Sequence, residues 1–377
     1  MTTSAYLKRA GIGIAIGTLL IAATPLAATA SPNVSLFLDG GTITGGFVAG
    51  YNNAMAVDNS HSNLYVVGTV GGVGTIVETP TDGSSAPVVF ATSANLNGAT
   101  PTSITIDSSD DIFVYANDNN IYEFPAGSGP NTNATPYATL PSPLTPTFIA
   151  AVGSELYVTR YDNGTVYSVP VTLTTGLPTS SLTTFATGLA APGVQGISAN
   201  GNSLLVADDN YPSSGVYKLD TTAGPFTNPA MWIDMSSDPS LAPVDVSVDE
   251  SGNVFIVDYG NQIFSVDSGS STYVPYLNPV TDTGNGGTQG ICIVGSQIFL
   301  SATDTSGGGN ESVYSITTYD GSTTPSTTLP TTTVTERDKT LAHTGINSGL
   351  LFLAAAIFAI SGLVMMREVS RIRRRIK

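Results

Sequence analysis

Six side chains are the candidates for chemistry: Gln195, Asp245 and Gln289, with Asp209, Asp258 and Asp304. They come from a positional repeat. If Asp58, Asp107, Ala151, Ala199, Asp249 and Ile293 are equivalent, the residues four positions earlier are Ala54, Ser103, Thr147, Gln195, Asp245 and Gln289, all but one of them polar. Carboxylates and amide oxygens gathered on one rim suit a hard cation such as Ca2+, or a hydroxyl-rich ligand. The competing reading is a water-filled channel that such groups merely hydrate.

Other chemistries find little support. The two histidines are His61, in the turn Asp58-Asn59-Ser60-His61-Ser62-Asn63, and His343 near the C-terminus, so no Ser-His-Asp order, zinc spacing or phosphate loop can be drawn. The lone Cys292 lies in the apolar run Ile291-Cys292-Ile293-Val294 and reads as a core thiol. Asp58, Asp107 and Asp249 close short strands, where Asp bonds its own backbone in a turn, and Asp118, Asp162 and Asp208 follow strands in the same way.

A repeat must position the candidates. Short β-rich runs begin at Leu64, Ile112, Leu156, Leu204, Val254 and Ile298, spaced 48, 44, 48, 50 and 44 residues apart. Each is followed by a second run, such as Val166-Tyr167-Ser168-Val169 or Val216-Tyr217-Lys218-Leu219. A period in the forties with several strands per unit predicts an all-β fold, a β-propeller of six blades over roughly 33–320. Fourth strands follow in the first five units. The sixth lacks one, and Ser35-Leu36-Phe37-Leu38 is expected to complete it, closing the ring without a bare sheet edge. On this arrangement the b–c turns carrying Asp209, Asp258 and Asp304 share a face with Gln195, Asp245 and Gln289.

The flanks predict export. Lys8 and Arg9 precede an apolar stretch, and Ala28-Thr29-Ala30 gives the small-x-small pattern of a signal peptidase site, so 1–30 reads as a signal peptide. Residues 321–340 are rich in Thr and Pro and read as an extended stalk. The run from Ile346 to Met366, 21 residues without charge, is long enough for a transmembrane helix. The basic tail over 367–377 favours the cytoplasmic side, placing the propeller outside. Between Ser31 and Thr344 stand 27 acidic residues against 4 basic, a net charge of −23, which disfavours nucleic acid and attracts cations and basic groups.

Leu341-Ala342-His343-Thr344-Gly345, set before that span and tail, resembles a Gram-positive LPXTG-type cell-wall sorting signal in the LAXTG form associated with class E sortases of actinobacteria. The resemblance implies cleavage between Thr344 and Gly345 by a sortase and attachment to the cell wall. An uncut membrane anchor is the alternative. The blade pattern resembles the NHL and streptogramin-lyase-like propeller superfamily, on Val206-Ala207-Asp208-Asp209-Asn210, Val257-Asp258-Tyr259-Gly260-Asn261 and Val248-Asp249-Glu250-Ser251-Gly252-Asn253. That superfamily contains both enzymes and binding modules. With no His near the expected site and no Glu aligned to a channel strand, the expectation is a non-catalytic binding module for glycan, protein or a small molecule. The alternatives are a streptogramin-lyase-like or lactonase-like enzyme, and a structural surface spacer.

Overall fold

The computed structural model describes residues 34–316, apart from 40–42, 44–46, 50–53, 141–146, 172–181, 211, 260–261, 278–285 and 304–310. The signal peptide, stalk, sorting motif and transmembrane run, and Asp304, lie outside the described residues. Among those described, no helix is long and apolar enough to cross a membrane.

The six second strands are buried on both faces. Leu64, Val66 and Val67 are fully shielded, as are Phe113 and Val114, or Leu204 to Ala207. This explains why their sequences run apolar without the alternation of a half-exposed strand. Each lies in the middle of a blade that is sandwiched between two others. The strands assemble into six sheets, antiparallel except where Phe226–Thr227 pairs in parallel at the outer edge of blade 3. Blade 2, for example, runs Pro101–Ile106, Ile112–Ala116, Asn120–Phe124 and Thr135–Thr139 from the axis outward. The first strand of blade 1 is split into Phe47–Ala49 and Met55–Val57, both paired with Asn63–Val70. That blade's hairpin turns through Gly71 and Gly72, whose φ of 57° and 82° suit glycine.

Ring closure occurs as expected. Val34–Leu38 pairs antiparallel with Glu311–Ile316 as the outer strand of blade 6, joining Gly286–Val294 and Gln297–Thr303. Apolar clusters fill the spaces between consecutive blades. The one between blades 6 and 1 joins Leu38, Phe299 and Val313 to Phe47, Met55 and Leu64, and Phe37 tilts against Phe299 at 4.7 Å.

The axis poses a separate problem. The first strand of each blade has no sheet neighbour on its inner side, and its backbone groups need partners. Side chains from the preceding blade provide them. Ser103 Oγ accepts from the Ile149 N–H at 3.2 Å and Thr105 Oγ1 from the Ala151 N–H at 3.1 Å. Asp245 Oδ2 accepts from the Ile291 N–H at 3.0 Å, each pair being 46 residues apart. Between blades 3 and 4 the Thr159 hydroxyl donates to the Gln195 carbonyl at 3.2 Å.

Deleting residues 34–38 should lower the melting temperature of the whole propeller by at least about 10 °C, because blade 6 loses its outer strand and the Leu38 packing. An unchanged melting temperature with an unchanged monomeric state would overturn the closure.

Candidate functional site

The strand pairings correct the register on which the candidate set rests. Val57, Ile106, Ala151, Ala199, Val248 and Ile293 pair with the first residues of the second strands. Asp58 is therefore equivalent to Val152, not Ala151, and the position four residues earlier holds Ala54, Ser103, Phe148, Gly196, Asp245 and Gly290. The slip arises because blades 1, 2 and 5 make longer a–b turns closed by Asp, whereas blades 3, 4 and 6 use tight turns around Gly153, Gly201 and Gly295. The turn aspartates behave as expected. Asp58 Oδ1 accepts from the Ser62 and Asn63 N–H groups, Asp107 Oδ1 from Ser109 and Asp111, and Asp249 Oδ1 from Asn253.

Gln195 and Gln289 fall instead on β-bulges, between Val194 and Ile197 and between Thr288 and Gly290. A bulge re-aims a side chain. Gln195 Nε2 donates to Asp209 Oδ2 at 2.7 Å, bringing together two of the six candidates. Gln289 is 8% exposed, and its Oε1 is buried without a hydrogen-bond donor. Asp245 is committed to the inner edge: Oδ1 accepts from its neighbour Val246 at 2.9 Å, Oδ2 from Ile291, and Gly196 leaves no room for a side chain against Oδ1. Asp258 Oδ1 accepts the Ala242 N–H and fastens the loop leading into the first strand of blade 5.

Asp208 is the residue that the sequence reading passed over as a turn. It ends the second strand of blade 4, paired with Val194 and Gly215, at the position Asp258 holds in blade 5. It is fully buried. Oδ1 accepts the Asn210 N–H at 2.9 Å, but Oδ2 is shielded from water with no donor. The comparison with Asp258 shows why. In blade 5 the Ala242 N–H points at the carboxylate, whereas in blade 4 the equivalent Gly193 N–H bonds the Tyr161 carbonyl at 3.2 Å, and the Ala190 N–H goes to Tyr217 Oη at 3.1 Å. Burial, with the charge of Asp209 adding and with the Asn210 N–H, the nearby Tyr217 hydroxyl and the Ala190 N–H opposing, pushes the Asp208 carboxyl up to about 7. Burial also raises Asp209, opposed by its bond from Gln195, and raises the Tyr161 phenol beside both carboxyls. No sequence signal separates Asp208 from Asp258, since both follow an apolar strand.

The other nucleophile and base candidates lie elsewhere. His61, at φ 58°, stays in its a–b turn at the opposite end of the blades, with Nδ1 3.5 Å from Glu250 Oε1. Cys292, a partly exposed residue, lies on the wall of the central channel, a space of about 190 Å³ lined by the first strands. Burial pushes its thiol up to about 12, which keeps it from acting as a thiolate. A calcium site needs six to eight oxygens. Among the described residues no three His, Cys, Asp or Glu side chains gather as one could require, and Asp245, Asp258 and Asp209 already use oxygens on N–H donors. Among the described residues, the candidates by themselves do not supply the oxygens of a calcium site.

No protein-family model matches the chain, and no curated protein matches it in sequence. Solved structures do. The chain is similar to a gluconolactonase of Xanthomonas campestris, at TM-score 0.54 and 12% identity, over 77% of this chain and 91% of that one. It is similar to the PQQ-bound aldose sugar dehydrogenase of Streptomyces coelicolor, at TM-score 0.53 and 12% identity, over 77% and 99%. It is also similar to a calcium-binding protein, regucalcin, of Agrobacterium tumefaciens, at TM-score 0.52 and 14% identity, over 71% and 90%. The expected non-catalytic binding module does not stand against these neighbours, which accord better with the lactonase-like alternative. The NHL resemblance is a loose one. At such identities the likeness establishes a six-bladed propeller with gluconolactonase-like structural neighbours.

Asp208 should make stability pH-dependent. Its folded-state pKa of about 7 lies above the roughly 3.9 of an unfolded aspartate, so its contribution is fully present below about pH 4 and lost as pH rises through 7. Asp208→Asn, which keeps the shape and cannot ionise, should be more stable than wild type at pH 8, by up to about 4 kcal/mol, and close to wild type at pH 4. An equal difference at both pH values would refute the buried acid.

Proposed function

We propose that the propeller is a lactonase-like hydrolase acting at the rim of blade 4. The observation that carries this is the buried Asp208 carboxyl, with an oxygen that accepts no hydrogen bond of normal geometry although the Tyr217 hydroxyl is near, next to an Asp209 held by Gln195. Lactone hydrolysis needs a group that takes a proton from the attacking water and returns it to the ring oxygen as the C–O bond breaks. Asp208 keeps its proton up to near neutral pH and the neighbouring Asp209 is raised as well, which suits both halves of that cycle. Asp209 and Gln195 are only partly buried and so are the pair open to a substrate, whereas Asp208 is fully buried. The gluconolactonase and sugar dehydrogenase neighbours support a sugar-derived lactone as the substrate class. A lyase reading that requires a histidine gains no support from His61 at the other end of the blades.

The reaction needs no calcium in this reading, although one neighbour is a calcium-binding protein. A pH-stat assay on aldono-δ-lactones and simple γ-lactones, with calcium or with a chelator, checks it. Wild type should hydrolyse the sugar lactones at a rate that chelation leaves unchanged, and Asp209→Asn should lower kcat about a hundredfold or more. No lactone turned over above its spontaneous rate would overturn the assignment.

The sorting-signal resemblance supports display of this domain outside a Gram-positive cell, on a Thr/Pro stalk over 321–340. In that setting Thr344→Ala or Leu341→Ala should leave the protein with the membrane fraction, while wild type is released with the wall by muralytic digestion. Identical fractionation would sink the sortase reading and leave the uncut membrane anchor.

A further inference from the structure

A second polar cavity lies at the other end of the blades from Asp208, between blades 3 and 4. Its roof is a strap from blade 4: the chain leaving Gly215–Asp220 crosses to blade 3, where Phe226–Thr227 pairs in parallel with Thr183–Thr187 as a fifth strand. Beneath it is a space of about 380 Å³ bordered by Glu155, Tyr157, Thr184 and Phe185 of blade 3 and by Thr221 and Pro225 of the strap. The strap covers an outer strand edge, which accounts for its pairing. Edge protection does not account for an acid beneath it.

Glu155 opens the second strand of blade 3. Its Oε2 is shielded from water and meets no donor, and burial raises the carboxyl above its ordinary range. No positive charge of the domain serves it. Among the described residues the basic side chains are Arg160, which holds Asp162 with Nε 2.6 Å from Oδ1, and Lys218, whose Nζ stands 5.1 Å over the Trp232 ring. Two aromatic rings stand beside the acid. Tyr157 and Phe185 meet edge to face at 4.8 Å, and Phe226 of the strap meets Phe185 edge to face at 5.6 Å. The Ser168 and Thr183 hydroxyls bond one another at 2.6 Å and so are partly spent.

We propose that this cavity binds an organic ammonium group, that of a small alkylamine or of a lysine side chain. A carboxylate without a donor, aromatic rings beside it and a domain deficient in basic residues are what a desolvated N–H cation needs: charge-assisted hydrogen bonding to Glu155 and attraction to the ring faces. A neutral polyol would leave the acid without a counter-charge. The site is separate from the blade 4 rim and does not rest on the hydrolase reading.

Calorimetry on the purified full chain at 150 mM salt tests it with n-butylamine and with Nα-acetyl-lysine-N-methylamide, against 1,4-butanediol. At least one amine should bind at least tenfold more tightly than the diol, and the stronger of the two identifies the source of the ammonium group. Glu155→Gln should weaken that binding at least tenfold, whereas Glu123→Gln, at a partly buried acid on the third strand of blade 2, should leave it unchanged. Thr184→Lys, which supplies an ammonium from within, should raise the melting temperature and abolish amine binding. This last variant keeps the test open if Glu155→Gln folds poorly. No amine binding in wild type, equal binding of the diol, or equal loss on Glu123→Gln overturns the proposal.

Discussion

The inner edge of each blade is the constraint on which the rest depends. A propeller places its first strands around an axis where they have no sheet partner, and a buried backbone N–H left unpaired costs about as much as a lost hydrogen bond. This chain meets the requirement with side chains reaching from one blade to the next. Ser103 and Asp245 occupy equivalent positions and perform equivalent work, accepting from Ile149 and Ile291. A carboxylate at the axis is thus first a structural acceptor. Asp245, the most conspicuous acid of the candidate set, already accepts an N–H on each oxygen.

The same accounting isolates Asp208. It and Asp258 end equivalent strands, and both are shielded from solvent. Asp258 has the N–H of the incoming loop; Asp208 has lost the equivalent one to the Tyr161 carbonyl. One redirected N–H therefore distinguishes the surroundings of the two carboxyls. Buried polar groups are nearly always satisfied, and an exception such as Asp208 Oδ2, placed beside a second raised carboxyl, is where proton-transfer chemistry is best sought. Glu155 is a second exception, under a strap whose pairing with blade 3 creates the space around it.

Much of the fold could be read along the chain. The six second strands, their spacing and the closing role of Ser35 to Leu38 are local or periodic features, and the structure reproduces them. The aspartates of the a–b turns were legible for the same reason, since their bonds reach only two to five residues along the chain. The register at the rim was not. Whether a strand ends one residue before its turn aspartate or inside a tight glycine turn changes the alignment by one, and one residue moves a side chain to the opposite face. Thr147, Gln195 and Gln289 were misaligned in this way, and bulges then re-aimed the two glutamines.

By itself the sequence determined that this is an all-β ring of six repeating units with an acidic middle segment, because repetition and composition need no knowledge of partners in space. Only the tertiary structure decided which acids are spent and which are not. Asp209 and Gln195 are 14 residues apart, Asp245 and Ile291 46, and Asp208 and Asp258 look alike until their surroundings are seen. Whether a carboxylate caps a strand, pairs with an amide or is left without a donor depends on N–H groups delivered by other blades. Those deliveries are set by how the ring closes.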